Sequence, residues 1–351
     1  MEKVDIIGGG IAGLALAGIL DPGRFEVTIY EQRPELPTVG TTLAMWPEAQ
    51  EALSELGILG AVRSRGAMIR TGALRSPSGE PMLSMEGEGL LGVSRPALLE
   101  RLDAAVPGSV RRVVGRVEQL PGGAGLTVGA DGVNSVVRSN LRGRHSAARP
   151  TPFLAVRGVI PGTPHPQDIG EYWARGQIFG LAPAGGGSNW YASFRSDLGP
   201  DKVDVADALE VTRSRYANHS RAVREVLAAA TPENSLAQRI WICPPLTRYS
   251  QGNMVLLGDA AHAMTPNLGR GACEALIDAV TLGKLLNRLP KEKALAAYGR
   301  KRVMRTQLLR FASSLMGRVA LAQSAQPVRD ALVKQVGNRL SRARERAETS
   351  K

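Results

Sequence analysis

Apolar residues fall in short runs that stop abruptly at glycine or an acid, and this repeats along the chain. Val4-Asp5-Ile6-Ile7 runs into Gly8, Leu126-Thr127-Val128 into Gly129-Ala130-Asp131, and Met254-Val255-Leu256-Leu257 into Gly258-Asp259. Continuous short apolar runs without alternation predict strands buried on both faces, as in parallel sheets. Each is followed by a helical pattern: Ile11 to about Leu20, a helix carrying Ser135 and Arg138, and Ala272 to Leu286. Asp21-Pro22-Gly23 turns the chain into another strand, Phe25 to Tyr30, which Glu31 ends. Further helices are predicted from Pro47, with Gly57 as its stop, and from Ser94, an N-cap before Arg95-Pro96-Ala97-Leu98.

The pattern changes after residue 150. Strand-like runs at Phe153 to Ile160, Gln177 to Leu181 and Trp190 to Phe194 precede a helical stretch from Val205 to Ala230, which predicts a second, sheet-based unit. Near the end, Met304, Leu308, Phe311, Leu315 and Val319 recur at helical spacing. They predict a helix packed by its apolar stripe, with a basic end after Pro327.

Two strand ends carry recognisable chemistry. Gly8-Gly9-Gly10-Ile11-Ala12-Gly13 fits G-x-G-x-x-G between a strand and a helix, and Glu31 closes the next strand 18 positions later. This is the context of a dinucleotide site: glycines admit a pyrophosphate to the helix N-terminus, and the acid accepts hydrogen bonds from the adenosine ribose. Gly87-Glu88-Gly89-Leu90-Leu91-Gly92 has the same spacing but follows no clear strand, so a loop or hairpin is expected there. At the second end, Pro266, Gly269 and Gly271 bring backbone close to a flat group, and the helix N-terminus at Gly271-Ala272-Cys273 suits a group that becomes negative. A strand, turn and helix that bind nothing is the plain alternative.

The chain has 351 residues, of which 43 % are hydrophobic and 22 % charged, as in a globular protein of about two domains. Its net charge of +12 points at first to nucleic acid. From Lys291 onward, however, fifteen Lys and Arg face four Asp and Glu, 15 − 4 = +11, so the excess sits in the tail. No nucleic-acid module accompanies it, and no nucleic-acid partner is expected. A solvated helical face is the favoured reading, with anionic membrane or acidic-partner contact as the minority one. Cys243 and Cys273 lack metal-type spacing and no metal is expected, and a reduced cytoplasmic setting is the default. No segment reads as a transmembrane span or signal peptide.

Gly258-Asp259-Ala260-Ala261-His262 followed by Pro266-x-x-Gly269-x-Gly271 resembles the G-D-A-A-H…P-x-x-G-x-G motif of flavin monooxygenases of the para-hydroxybenzoate hydroxylase type. Cys273, where that family often has Asn, resembles the branch that includes zeaxanthin epoxidase. The resemblance implies a Rossmann-type, glutathione reductase-like FAD-binding domain, here 1–150 with 242–325. It also implies an inserted substrate domain at 151–241, with C-terminal helices and a basic helix or tail at 326–351. Cofactor positions carried over or read from the fingerprint are Gly8, Gly10, Ile11, Ala12, Gly13, Glu31, Arg33, Arg95, Asp131, Gly258, Asp259, Pro266, Gly269, Gly271, Ala272 and Cys273. By this likeness Asp259 holds the ribityl chain, Arg95 contacts the cofactor, and Asp131-Gly132 lies beside the pyrophosphate. One departure is the short Pro121–Gly125 link, where the family places a hairpin.

The implied activity is insertion of one oxygen atom from O2 into an electron-rich aromatic or alkene, through a flavin C4a-hydroperoxide. NADPH or NADH would bind transiently, because only one nucleotide fingerprint is credible. A related reductase or dehydrogenase, or a flavin-binding protein without turnover, remains open. Trp46, Arg157, Tyr172, Trp173, Tyr191 and Arg195 are candidate pocket residues, and packing is the alternative for each aromatic. His262 reads as a structural hydrogen-bonder rather than a base. The residues choose neither the substrate nor the oligomeric state.

Overall fold

The computed structural model describes residues 1–38, 40–123, 125–199, 202–324 and 326–349, without side-chain detail at 85–88 and 340–349. Elements follow in the order β1 (Glu2–Ile7), α1 (Ile11–Ile19), β2 (Phe25–Glu31), β3 (Thr42–Met45), α2 (Pro47–Glu55), α3 (Leu59–Arg63), β4 (Gly66–Arg75), β5 (Pro81–Ser94), α4 (Arg95–Ala104), β6 (Arg111–Val114), β7 (Leu126–Gly129) and α5 (Val136–Arg142). Then come β8 (Arg149–Pro161), β9 (Gly170–Ala174), β10 (Gln177–Ala184), β11 (Gly187–Arg195), α6 (Val205–Arg215), α7 (Arg221–Ala229), β12 (Ser235–Ile242), β13 (Ser250–Gln251), β14 (Met254–Leu256), α8 (Asp259–His262), α9 (Gly271–Leu286), α10 (Lys291–Ala320) and α11 (Gln326–Thr349).

The apolar runs become the centre of a six-stranded sheet in the order β13-β14-β7-β1-β2-β6. From β14 to β6 the strands are parallel. Val4, Ile6, Val27, Ile29, Leu126, Val128, Val255 and Leu256 are buried because helices cover both faces. α1 and α9 pack together over this sheet, which explains the Ala- and Gly-rich sequence of α1: small side chains let the helices approach. The architecture is α/β with a parallel Rossmann-type sheet, as the sequence predicts.

An eight-stranded, mostly antiparallel sheet has the order β12-β8-β11-β10-β9-β4-β5-β3. One face buries Val156, Phe179, Leu181, Trp190 and Phe194 against Leu209 of α6, Tyr216 at its C-terminal end, and Val223 and Leu227 of α7. The sheet is wider than the expected unit at 151–241, since β3, β4 and β5 come from residues 42–94. Their apolar residues are spread over irregular alternations that give no clean period. Gly87 to Gly92 lies in β5, paired with β4 as a hairpin arm. The helical stretch from Val205 to Ala230 is two helices, because Ser220 caps a new start. The link after β6 runs to β7 with no hairpin among the described residues, and Ala124 within it lies outside them.

One expectation is overturned. The stripe Met304, Leu308, Phe311, Leu315 and Val319 is exposed, whereas α10 buries Tyr298, Arg302, Thr306 and Ser313. The partners of Arg302 explain the inversion: it reaches two buried carboxylates on α9 that no apolar side chain could satisfy. The basic end after Pro327 is helical to Thr349, and Ser350 and Lys351 lie outside the described residues.

Candidate functional site

The strand order sets the sequence motifs side by side. Reading β2, β1, β7, β14 across the sheet, their carboxyl ends deliver Glu31, Gly8–Gly10, Asp131 and Gly258–Asp259 in one row. With adjacent strands about 4.8 Å apart, the row spans about 14 Å, the scale of an extended ligand rather than a point site. Ligands of open α/β sheets bind at this edge.

Glu31 accepts the Gly9 N–H at 2.8 Å through one carboxylate oxygen and the Arg33 N–H at 3.0 Å through the other, so it shapes the turn. Arg33 itself is exposed. At Gly13 a Cβ would sit 1.9 Å from the Gly8 carbonyl oxygen, so the first turn closes only around glycine. Asp131 accepts the Val136 N–H at 2.7 Å and the Val137 N–H at 3.3 Å, which fixes the start of α5. Its other oxygen is buried without a partner, and burial raises its pKa against the opposing pull of Ser135 and the backbone amides. Such an oxygen fits a hydroxyl or N–H donor of a bound nucleotide.

The β14 end is braced from beneath. Asp278 on α9 accepts the Gly258 N–H at 2.9 Å and lies 2.6 Å from His262 Nε2, while Arg302 Nε donates to it at 2.6 Å. Arg302 also donates to Glu274, and all four side chains are buried. Burial pushes the Asp278 pKa up, but His262 and Arg302 beside it bring the net below the usual carboxylate range. His262 is therefore turned into the core, in the structural position expected of it. Arg138, fully buried, donates to the carbonyls of Ser146 and Ala260 at 2.9 and 3.0 Å, tying the Asp131 segment to α8. Sequence reasoning placed Arg138 on a helix and missed this brace, as it missed Asp278 and Arg302. Charged residues within helical runs were the available signal.

Asp259 remains exposed above this framework, with a carboxylate oxygen 4.0 Å from the Cβ position of Gly271, at the mouth of α9. Pro266 and Gly269 flank the same mouth. The Cys273 thiol points away: it donates to the Ala44 carbonyl, and burial pushes its pKa up to about 11. Arg270 stacks 5.1 Å over Trp46 and pairs with Glu48 and Glu274. Trp46 is half-buried against the main core, with its indole N–H buried and without a partner. Arg95 is exposed in the first turn of α4, behind the cap at Ser94.

On the second face of the large sheet Asn189 of β11 accepts the Thr42 N–H of β3 at 2.9 Å, and Arg157 lies close enough to Arg95, at the start of α4, to feel its charge. Across that face Arg157, Tyr191, Gly180 and Glu171 stand in register on β8, β11, β10 and β9. A Cβ on Gly180 would lie 2.1 Å from the Tyr191 ring, so the absent side chain lets Tyr191 cross β10 and donate to Glu171. Trp173 donates its indole N–H to the same carboxylate. Burial raises the Glu171 pKa despite these donors, and raises that of Tyr191 further. Arg157 donates to Gln238 at 2.8 Å, while its Nε is buried without a partner. Burial, with Arg95 nearby, lowers its pKa to about 10.

Arg157 and Tyr191 thus share one face of the large sheet, with Arg157 beside Arg95. Trp173 shares it too, but Ala320, Leu321 and the Arg329 guanidinium cover its ring. Tyr172 belongs to the opposite core, and Arg195 is exposed beside Phe153 at the strand end.

Residues 118–312 match the family described as FAD binding domain. The chain is 31% identical over 350 residues to aurachin C monooxygenase/isomerase of Stigmatella aurantiaca, covering 91% of this chain and 90% of that protein. It is 30% identical to 3-hydroxybenzoate 6-hydroxylase of Polaromonas naphthalenivorans, covering 92% and 88%. Among solved structures, Klebsiella pneumoniae HpxO complexed with FAD and uric acid superposes with a TM-score of 0.84 at 25% identity, covering 95% of this chain and 93% of that one.

Proposed function

Given that this chain belongs to the family of single-component FAD-dependent monooxygenases, with FAD as cofactor, NAD(P)H as reductant and an aromatic ring as the usual substrate, we propose how its residues divide that work. The supporting observation is the row of strand ends that leads from Glu31 to the α9 mouth beneath the Arg157–Tyr191 face. Glu31 accepts the adenosine ribose, and the α1 N-terminus with Arg33 takes the pyrophosphate beside Asp131. Asp259 accepts ribityl hydroxyls, and Arg95 steadies the chain from the other side. The N-terminus of α9 at Gly271–Cys273 faces the flavin edge that gains negative charge on reduction.

FAD held by these residues would supply hydride acceptance from NAD(P)H and activation of O2, with one oxygen atom going to the substrate and the other to water. The protein's part is to hold, orient and dry the reacting groups. The large sheet closes over the site, Tyr191 offers a flat surface to a ring, and Arg157 meets an oxygen acceptor on it. The relatives include enzymes named for aromatic acids and for urate, and aromatic rings bearing such oxygens fit this roof. On this reading 1–150 with 242–325 carries the cofactor and the sheet from 151–241, widened by β3 to β5, carries the substrate.

The test is turnover under labelled dioxygen with a panel of hydroxylated aromatics. One labelled oxygen atom should appear in product, and NAD(P)H oxidation should accelerate when the right aromatic is added. Oxidised product without label would convict the chain of dehydrogenation instead.

A further inference from the structure

α10 is amphipathic with its faces exchanged. Met304, Leu308, Phe311, Leu315 and Val319 are 73, 62, 66, 51 and 42 % exposed, and their spacing of four, three, four and four keeps them on one stripe. At a rise of 1.5 Å per residue the stripe is about 22 Å long. The helix cannot roll to hide it. Its inner face is fixed by Arg302 on Asp278 and Glu274, by Thr306 on Tyr249, and by Ser313 on Thr265 at 3.1 Å. Turning the stripe inward would leave the buried carboxylates of Asp278 and Glu274 without the Arg302 cation. A contiguous exposed apolar stripe of this kind marks a contact surface.

Its margins identify the partner. Lys293, Arg300, Lys301, Arg305 and Arg318 are exposed around the stripe, and Glu292 is the sole acid on the helix. Arg305 shares Glu48, leaving four cations for an outside partner. A second copy matches this face poorly. An antiparallel helix pair centred on Phe311 would set Arg305 of one copy against Arg318 of the other, and a parallel pair would oppose identical cations. An anionic lipid leaflet matches both parts, with headgroup phosphates for the cations and the acyl boundary for the stripe. No helix among the described residues is long and apolar enough to cross a membrane, so contact would be at the surface.

We propose that the outer face of α10 docks the protein peripherally on anionic lipid. α10 ends beneath the large sheet, where Ala320 and Leu321 pack on Trp173 and Ile178, so docking holds the substrate roof beside the leaflet. α11 supplies further exposed apolar side chains, Val328, Leu332 and Val336, with Lys334 and Arg339 also exposed.

The test uses the full-length FAD-loaded protein with vesicles of phosphatidylcholine, alone or with one-third phosphatidylglycerol, read by co-sedimentation. Binding should require the anionic lipid and weaken as salt is raised. L308E with F311E should bind at least about tenfold more weakly while keeping its flavin spectrum and its turnover in vesicle-free buffer. R300Q with K301Q and R318Q should lose about a hundredfold, from about fivefold per cation near the surface. Equal binding of the wild type and the L308E/F311E variant, or no binding to anionic vesicles, overturns the proposal. A wild-type dimer that L308E/F311E dissociates, without vesicle binding, reassigns the face to a second copy.

Discussion

Asp278→Asn isolates what holds the β14 end in place. The carboxylate accepts from the Gly258 N–H at 2.9 Å and from Arg302 at 2.6 Å, with His262 at 2.6 Å, all in the buried core. Asparagine has the same shape but one acceptor oxygen. Turned toward Gly258 and His262, it points an amide N–H2 at the Arg302 guanidinium; turned the other way, it abandons the strand end. Breaking a buried pair costs about 3–5 kcal/mol. In a chain of 351 residues that lowers Tm by about 5 °C. Arg305→Ala is the control from the same helix: its pair with Glu48 is about half exposed and worth at most about 1 kcal/mol. Because Asp278 titrates below the usual carboxylate range, its contribution is full above that range and disappears as pH falls through the lowered value. The gap between variant and wild type should therefore narrow in acid. Thermal and urea unfolding at fixed excess FAD, followed by tryptophan and flavin fluorescence across pH, measure both. Equal midpoints for Asp278→Asn and Arg305→Ala at neutral pH would refute the reasoning.

Asp259→Ala should weaken FAD by about ten- to a hundredfold in equilibrium dialysis, the worth of one charge-assisted hydrogen bond, with little change in apoprotein Tm because the side chain is exposed. Gly13→Ala places a methyl 1.9 Å from the Gly8 carbonyl oxygen, which neighbouring backbone pins, so it should cost about 1–3 kcal/mol and yield colourless protein. His219 is buried with neither ring nitrogen partnered, and burial lowers its pKa to about 4. The unfolded chain therefore binds the proton first as pH drops from 6.5, and wild type should lose about 3 kcal/mol by pH 4 that His219→Leu retains in acid melts. Glu171 has a raised pKa from burial, so the ionised form weakens the fold as pH rises through that value. Glu171→Gln should gain Tm relative to wild type at pH 8 and not at pH 4, and the reverse order would show that Tyr191 and Trp173 favour the anion.

The cofactor row was legible because each strand end declares itself locally: an apolar run, then glycine, then an acid. Adjacency of those ends needed no further information once the strands were parallel and the helices followed them, since right-handed crossovers leave few orders open. The roof was less legible. β9 is five residues long, and Trp173 and Tyr172 on it face opposite sides and join different buried clusters, so composition alone could not tell either from a pocket residue. Tyr191 gains its role from Gly180 on a neighbouring strand, a relation that exists only after register is set.

α10 marks where periodicity stops being sufficient. A stripe at intervals of three and four says that a helix has two faces, and the usual assumption assigns the apolar one to the core. Here the decision belongs to α9, which buries Glu274 and Asp278 against α10 and so requires a cation there. Arg302 supplies it, and without it two buried carboxylates would have no cation. The signal lay in the neighbouring helix: two acids at i and i+4 within the otherwise apolar run of α9 demand a partner, and the partner's position fixes which way the next helix faces. Buried charge on one element thus orients another, and the displaced apolar stripe is left for a surface outside the chain.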